Sequence, residues 1–367
     1  MIYTIVFYLL LLFITTLINN RKLAISLVVI VSALYMGLRY DYMPDYKAYY
    51  DYFRYVSDGY SYWEGDHMEY GWYLLNKIFS PIGFFGFEFL ISSLFAFSIG
   101  LLLKTFVSKE YLPYVVLGYF SSGVFAMTLS AHRQLVVASV FAVAFVYLVY
   151  NNIRVYKDLI RPRLLLYYII VILLSTIHQS SYFLLIVPFL YFIPKNIISV
   201  VAIIALIYAT IFIGDMFLPS LLDGLYLNFD RYERILESEI EMQNMTTASF
   251  ISYTLQIVFI AYAYMNKAIS KDHSLVLILC LLTFFLDVSI FSIPQFFRLN
   301  MYIGVFTYIA ISVSGRSLKD MHNKVINPMP LKIFYSIWIL WNSLKVFTIE
   351  PGTNQEYKSI ISFLFVG

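Results

Sequence analysis

Seven ionisable side chains lie within or beside stretches that are otherwise almost wholly apolar: Arg39, Glu88, Arg133, His178, Asp287, Arg298 and Lys345. Guanidinium groups grip phosphate and carboxylate oxygens through a planar fork. An imidazole moves protons near neutral pH, and a carboxylate accepts a proton from a hydroxyl within hydrogen-bond reach. The set therefore offers anion binding beside proton transfer. A charged group within an apolar span costs several kcal/mol unless it is paired or faces water, so each of these is a candidate for function.

Some have plainer readings. Lys345 stands near a helix end, where a lysine snorkels to the interface. Glu88 stands near the start of its helix, where the macrodipole favours a carboxylate. Asp287 fits a structural partner for Arg298. Arg133 and Arg298 themselves resist such readings, because both open helices, and the positive end of the dipole disfavours a cation. A lone buried histidine is commonly structural, but His178 lies in the polar patch Ser175-Thr176-Ile177-His178-Gln179-Ser180-Ser181. That setting favours function.

The elements that position these groups are membrane helices. The chain is 61% hydrophobic and 13% charged, against about 25% charged in soluble domains. Apolar runs recur along nearly the whole length, so the bilayer is the solvent. The expected fold is an all-α polytopic integral membrane protein, one domain over 1–367 with about twelve transmembrane helices. The spans fall at 2–18, 23–38, 84–103, 112–129, 134–150, 164–180, 181–194, 196–214, 249–266, 274–291, 297–314 and 331–348. The 181–194 segment is short for a full crossing of about 20 residues. The first run reads as a retained helix, since no basic segment precedes it and no small-residue cleavage site follows. The single cysteine, Cys280, excludes a disulfide framework and a Cys/His zinc pattern.

Two polar loops interrupt the spans, at 39–83 and 215–248, and both are acidic. The short connections are basic instead: Arg21, Lys22, Lys104, Lys109, Arg154, Lys157, Arg161, Arg163, Lys195, Lys267, Lys271, Arg316, Lys319, Lys324 and Lys332. If the spans simply alternate, all of these fall on one side. Lys/Arg excess marks the cytoplasmic face, so both loops and both termini lie outside. In that topology the intramembrane charges sit in or beside the outer third of their helices. They line one wet cavity beneath the loops.

The first loop opens with Arg39-Tyr40-Asp41-Tyr42-Met43-Pro44-Asp45-Tyr46-Lys47-Ala48-Tyr49-Tyr50. Pro44-Asp45 reads as a turn with Asp45 capping a new helix. Tyr46, Tyr49, Tyr50 and Phe53 then recur at helical spacing. The expectation is an amphipathic helix on the outer surface, either an aromatic belt or a platform for sugar rings. Asp41 and Asp45 have a spacing that also suits a divalent metal, but such spacing recurs by chance. No metal or cofactor is expected, and nothing points to nucleic acid.

Several of these elements together resemble the EpsG family, a branch of the Wzy-type polysaccharide polymerases. The matching elements are Gly37-Leu38-Arg39 followed by Asp45-Tyr46 and Tyr49, then Glu69-Tyr70-Gly71, Arg133-Gln134, and His178 with Ser180 or Ser181. Tyr357-Lys358 is a weaker echo near the C-terminus, and Met43-Pro44-Asp45 departs from the family's Gly-Thr-Asp-like turn. The resemblance implies a GT-C-like glycosyltransferase in the bacterial plasma membrane, working at the outer face. It would move a glycan from an undecaprenyl-diphosphate carrier to a hydroxyl of another lipid-linked repeat unit.

Such chemistry needs cationic stabilisation of a diphosphate, for which Arg133, Arg298 and Arg39 are the candidates. It needs a base, for which His178 comes first and Asp45 or Glu69 second. Asp41, Tyr46, Tyr49 and Gln134 complete the expected substrate contacts. Partners would be the lipid-linked oligosaccharide, the bilayer and a chain-length regulator protein. A lipid-linked oligosaccharide flippase is the alternative from another class. An O-antigen ligase-like transferase is the alternative within the same layout.

Overall fold

The computed structural model describes residues 2–43, 45–62, 68–224, 247–265, 270–289 and 296–320, together with 332, 333, 335–337 and 339. Lys345, Tyr357, Lys358 and most of the second acidic loop lie outside the described residues. Among the described residues every regular element is a helix and there is no strand. Three helices are long and apolar enough to cross a membrane, or five if two bent pairs each count as one span. Five shorter apolar helices accompany them. The protein is thus an all-helical membrane protein.

Helices α1 (Ile2–Leu17) and α2 (Arg21–Gly37) follow the expected first spans closely. Asn20 caps α2, its side chain accepting from the Leu23 amide at 3.2 Å. Then come α3 (Tyr46–Ser57), α4 (Tyr70–Phe79) and α5 (Gly83–Phe106). The first loop is therefore more ordered than its polarity suggests. A single turn of 3-10 helix, Ser80–Ile82, joins α4 to α5. The apolar stretch they form runs from Tyr70 to Phe106 and so starts well before the expected 84.

The core is built by α2 packing on α5 and α5 packing on α8 (His132–Ala144). Gly100 allows the first of these approaches, because a Cβ there would collide with Val29. Small residues of this kind let membrane helices come close.

Four expected spans are irregular. The 112–129 span is α6 (Leu112–Phe120) and α7 (Gly123–Ser130), bent by 53° with the turn before α6 included. The 297–314 span is α13 (Phe296–Ile303) and α14 (Val305–Asp320), bent by 44°. The short 181–194 segment is a 3-10 helix, Gln179–Phe192, of 14 residues. At a rise of about 2.0 Å per residue it reaches roughly 28 Å, close to the hydrocarbon thickness. An α-helix of that length would fall well short. The 134–150 span is α8 continued by a π-helical turn, Phe145–Val149. The remaining α-helices are α9 (Pro162–Ser175), α10 (Ile197–Gly224), α11 (Thr247–Met265) and α12 (Lys271–Ser289).

Basic residues close the helix ends at the Lys/Arg-rich side. Arg21 donates to the carbonyls of Val107 at 2.8 Å and Leu103 at 3.1 Å, at the C-terminus of α5. Lys109 Nζ donates to Thr15 O at 2.7 Å, at the C-terminus of α1. The last carbonyls of a helix have no partner within it, so a cation there answers both a hydrogen-bond need and the dipole.

Candidate functional site

The N-terminus of α8 carries three consecutive polar side chains, His132, Arg133 and Gln134, and each reaches a different partner. Arg133 Nη1 pairs with Glu69 Oε2. Its Nε donates to the Tyr49 hydroxyl at 3.4 Å. Gln134 Nε2 lies 2.9 Å from His178 Nε2. His132 Nε2 lies 2.5 Å from Glu88 Oε2.

Glu69 is the centre of the first cluster. Its other oxygen, Oε1, lies 3.2 Å from His178 Nδ1 and accepts from the Gln179 amide at 3.2 Å. His178 Nδ1–H then faces a carboxylate, which leaves the lone pair on Nε2 to accept from Gln134. Burial works to raise Glu69, but the His178 hydrogen bond and the Arg133 charge outweigh it and hold the carboxyl at about 2. In the turn after α9, burial lowers His178 despite its hydrogen bond to Glu69. The Glu69 side chain is 24% exposed and that of Arg133 15%, against 5% for His178. The wet side of the cluster is therefore the Glu69–Arg133 pair.

A close backbone contact sets Glu69 in place. The Gly71 amide donates to Thr176 O at 2.7 Å, joining the start of α4 to the turn that carries His178. A Cβ at Gly71 would stand 2.7 Å from that carbonyl, inside any real contact. The Glu-Tyr-Gly element thus has a steric reason: glycine admits the turn, and the acid two residues earlier meets the histidine.

The second cluster is dry. Arg39 Nη2 pairs with Glu88 Oε1, and both side chains are fully buried. Arg39 Nη1 also donates to Met36 O at 3.1 Å, and its Nη2 stands 3.3 Å from His132 Nε2. The His132 ring packs against Tyr49, centroids 4.4 Å apart. Tyr49 therefore touches both clusters, one through its ring and one through its hydroxyl.

Other expected residues fall as follows. Asp45 occupies the N-cap position of α3 but makes no capping hydrogen bond; its Oδ2 accepts from Ser130 Oγ at 3.1 Å instead. Asp41 has φ 43° and Met43 φ 73°, so two non-glycine residues take the left-handed conformation just before α3. Such residues persist only where the surroundings over-determine them.

The aromatic face of α3 does not lie open as a platform. Tyr46, Tyr49 and Phe53 are buried, packed edge-on or stacked against Phe84, Trp72 and Phe87. An apolar helix face at this spacing serves a membrane surface or a protein interior equally well, and here the interior takes it. The exposed aromatics come later: Tyr60 stacks on Tyr55 at 4.7 Å, and Tyr70 meets the half-buried Tyr62 at 5.4 Å.

Arg298, on α13, is half-buried beside the Phe297 ring, and its charge is felt at His178 and Tyr302. Tyr302 in turn lies 2.7 Å from Ser180 Oγ. Asp287 is bound by Asn300 Nδ2, and among the described residues no ion pair joins it to Arg298. The described residues bring no three His, Cys, Asp or Glu together in a way that could hold a metal ion.

The sequence profile of the EpsG family matches residues 22–359. The chain belongs to the EpsG family. No curated protein and no solved structure matches it significantly. As a member of the EpsG family with apolar helices, it is a membrane protein of polysaccharide biosynthesis. Sequence reasoning about this EpsG-family protein missed His132, although it sits beside Arg133. It also took Glu88 and Arg39 separately, where the fold pairs them directly and brings His132 against both.

Proposed function

We propose that this protein is a polysaccharide polymerase acting at the outer face of the membrane. It would transfer a glycan from an undecaprenyl-diphosphate carrier to a hydroxyl of another lipid-linked repeat unit. The observation that carries the reading is the partly exposed Glu69–Arg133 pair, backed by His178 and with the Arg298 charge nearby. It combines a phosphate-binding fork with a carboxylate placed for proton transfer.

The resting pair suggests an order of events. The donor diphosphate competes with Glu69 for Arg133 and engages Arg298 as well. Glu69 then loses one of the groups that hold its carboxyl low and becomes a better base, while His178 and the Gln179 amide keep Oε1 in place. Oε2 takes the proton of the acceptor hydroxyl. The acceptor oxygen bonds to the anomeric carbon as the bond to the carrier diphosphate breaks, and the arginines hold the charge that departs. His178 is in this reading a positioning residue, since Gln134 occupies its Nε2 and its side chain is buried. Arg39, fully buried against Glu88, supports α8 through His132, and Tyr49 supports Arg133. Exposed Tyr60 and Tyr70, with half-buried Tyr62 between them, are the better candidates for stacking on sugar rings.

A flippase is the second reading, and the bent helices favour it. The α6/α7 break and the α13/α14 break meet where a Cβ on Gly304 would touch Val124. Broken helices of this kind line the substrate paths of transporters. Deletion of the gene followed by glycan analysis separates the readings. Single repeats reaching the outer face without polymer is the expected result. Repeats trapped inside would establish the flippase, and undiminished polymer held on the carrier would indicate a ligase.

A further inference from the structure

At the opposite end of the molecule from Glu69, three connections converge on a cavity. The helix α8 and the π-helical turn Phe145–Val149 that continues it run from Arg133 towards the connection holding Arg154, α9 returns towards His178, and the 3-10 helix runs back to Lys195. Arg154, Lys195 and Lys271 line this cavity of about 400 Å³. Val155, Leu275 and Ile278 give it apolar walls. Tyr156 stacks on Phe192 at 3.9 Å at its rim, and Lys271 Nζ stands 5.8 Å from the Tyr191 ring.

Cations at this face are expected from topology alone, but these three differ from the rest. Arg154, Lys195 and Lys271 come from three different connections and surround one space. Like charges brought together repel, and burial followed by the charge of Lys271 holds Lys195 below its ordinary value. The nearby carboxylates do not line the cavity. Asp158 is engaged by Arg161 and by the amides of Arg154 and Val155. Asp272 is half-buried, held by the Asn151 backbone. An anion in the cavity would relieve the repulsion between Lys195 and Lys271, and the apolar walls suit a ligand with a hydrocarbon part.

We propose that this cavity binds the phosphate of an anionic phospholipid headgroup from the cytoplasmic leaflet, with Arg154, Lys195 and Lys271 as its ligands. Basic pockets between helices on that side are suited to such headgroups. The site stands apart from sugar transfer and is read by binding alone.

The test uses the full chain purified in detergent, exposed to an equimolar mixture of phosphatidylglycerol and phosphatidylcholine, with retained lipid read by native mass spectrometry. The wild type should retain phosphatidylglycerol preferentially. K195Q should lower that retention about fivefold, since one cation at an anionic headgroup contributes roughly that factor. The triple variant R154Q/K195Q/K271Q should abolish it, and R161Q, outside the cavity, should leave it unchanged. Inorganic phosphate supplies the second arm. A rise in melting temperature with millimolar phosphate, lost in K195Q and without any lipid preference, would keep the site but overturn its lipid source. Equal retention of both lipids with no phosphate effect in the wild type would overturn the proposal. So would full phosphatidylglycerol preference in K195Q and the triple variant. K195Q alone decides the question if the triple variant does not fold.

Discussion

Glu69 and His178 stand 109 residues apart in the chain and meet at 3.2 Å, with the carboxylate accepting from Nδ1 of the ring. Arg133 takes the other carboxylate oxygen, so one acid is shared between a cation and an imidazole. The exposed half of the arrangement is the ion pair, and the buried half is the histidine with Gln134 behind it. Anything that binds here meets Arg133 and Glu69 first.

Arg133→Lys is the sharpest test of the phosphate fork. Lysine keeps the charge but offers a point rather than a planar fork, and it cannot hold Glu69 and Tyr49 together. Polymer formation in cells should fall about a hundredfold, the scale for losing a group that stabilises developing negative charge. Membrane levels of the protein should stay near normal. Wild-type polymer length and yield in this variant would remove Arg133 from the leaving-group role.

The depressed Glu69 carboxyl makes a pH prediction with a fixed sign. Its folded value of about 2 lies below its ordinary 4.5. The stability it contributes is therefore fully present above about 4.5 and lost as pH falls through the folded value. Thermal unfolding of purified protein should show a melting temperature that declines between about pH 4.5 and pH 2. Glu69→Gln should flatten that part of the profile. Arg133→Gln should make the decline smaller and end it at a higher pH, because the charge that helps lower Glu69 is gone. An identical profile in all three proteins would show that the carboxylate is not held as the geometry indicates.

Much of this site is legible in the sequence because ionisable residues are rare in apolar runs. Arg133 and His178 stand out against their surroundings, and the alternation of acidic loops with basic connections puts them on one face. What sequence does not carry is pairing. Glu88 and His132 are 44 positions apart with no motif between them, so the charge on α5 reads as a lone oddity and the ring on α8 does not stand out. The inward turn of Tyr46 and Tyr49 is invisible for a different reason: the period of the pattern defines a face without saying what the face meets. The 3-10 helix at Gln179–Phe192 escapes because hydropathy counts residues, whereas a membrane is crossed in ångströms.

Gly71→Ala tests how Glu69 is placed without touching a charged group. The added methyl would collide with Thr176, so α4 must move away from the turn that carries His178. The Glu69–His178 contact should open, and polymer formation should fall steeply while the protein still inserts. A misplacement of about 1 Å is enough to cost roughly a hundredfold. Thr176→Ala removes the side-chain part of the clash but leaves the backbone part, so the double variant should recover only partly. Normal polymer in Gly71→Ala would mean that the close approach of α4 to that turn does not set the active geometry.

Glu88→Gln separates support from substrate contact at Arg39. Glu88 sits fully buried between Arg39 and His132. Removing its charge strands a buried guanidinium, which should cost about 3–5 kcal/mol and lower the amount of protein in the membrane. Replacing both members of the pair by apolar residues, as in Arg39→Met with Glu88→Met, removes the stranded charge and should restore accumulation above either single variant. Polymer formation in that double variant then decides the role of Arg39. Substantial activity would fit a residue that only props α8 through His132. A folded, well-inserted double variant with no polymer would put Arg39 among the groups that bind the donor diphosphate, and its burial against Glu88 would then belong to the resting state alone.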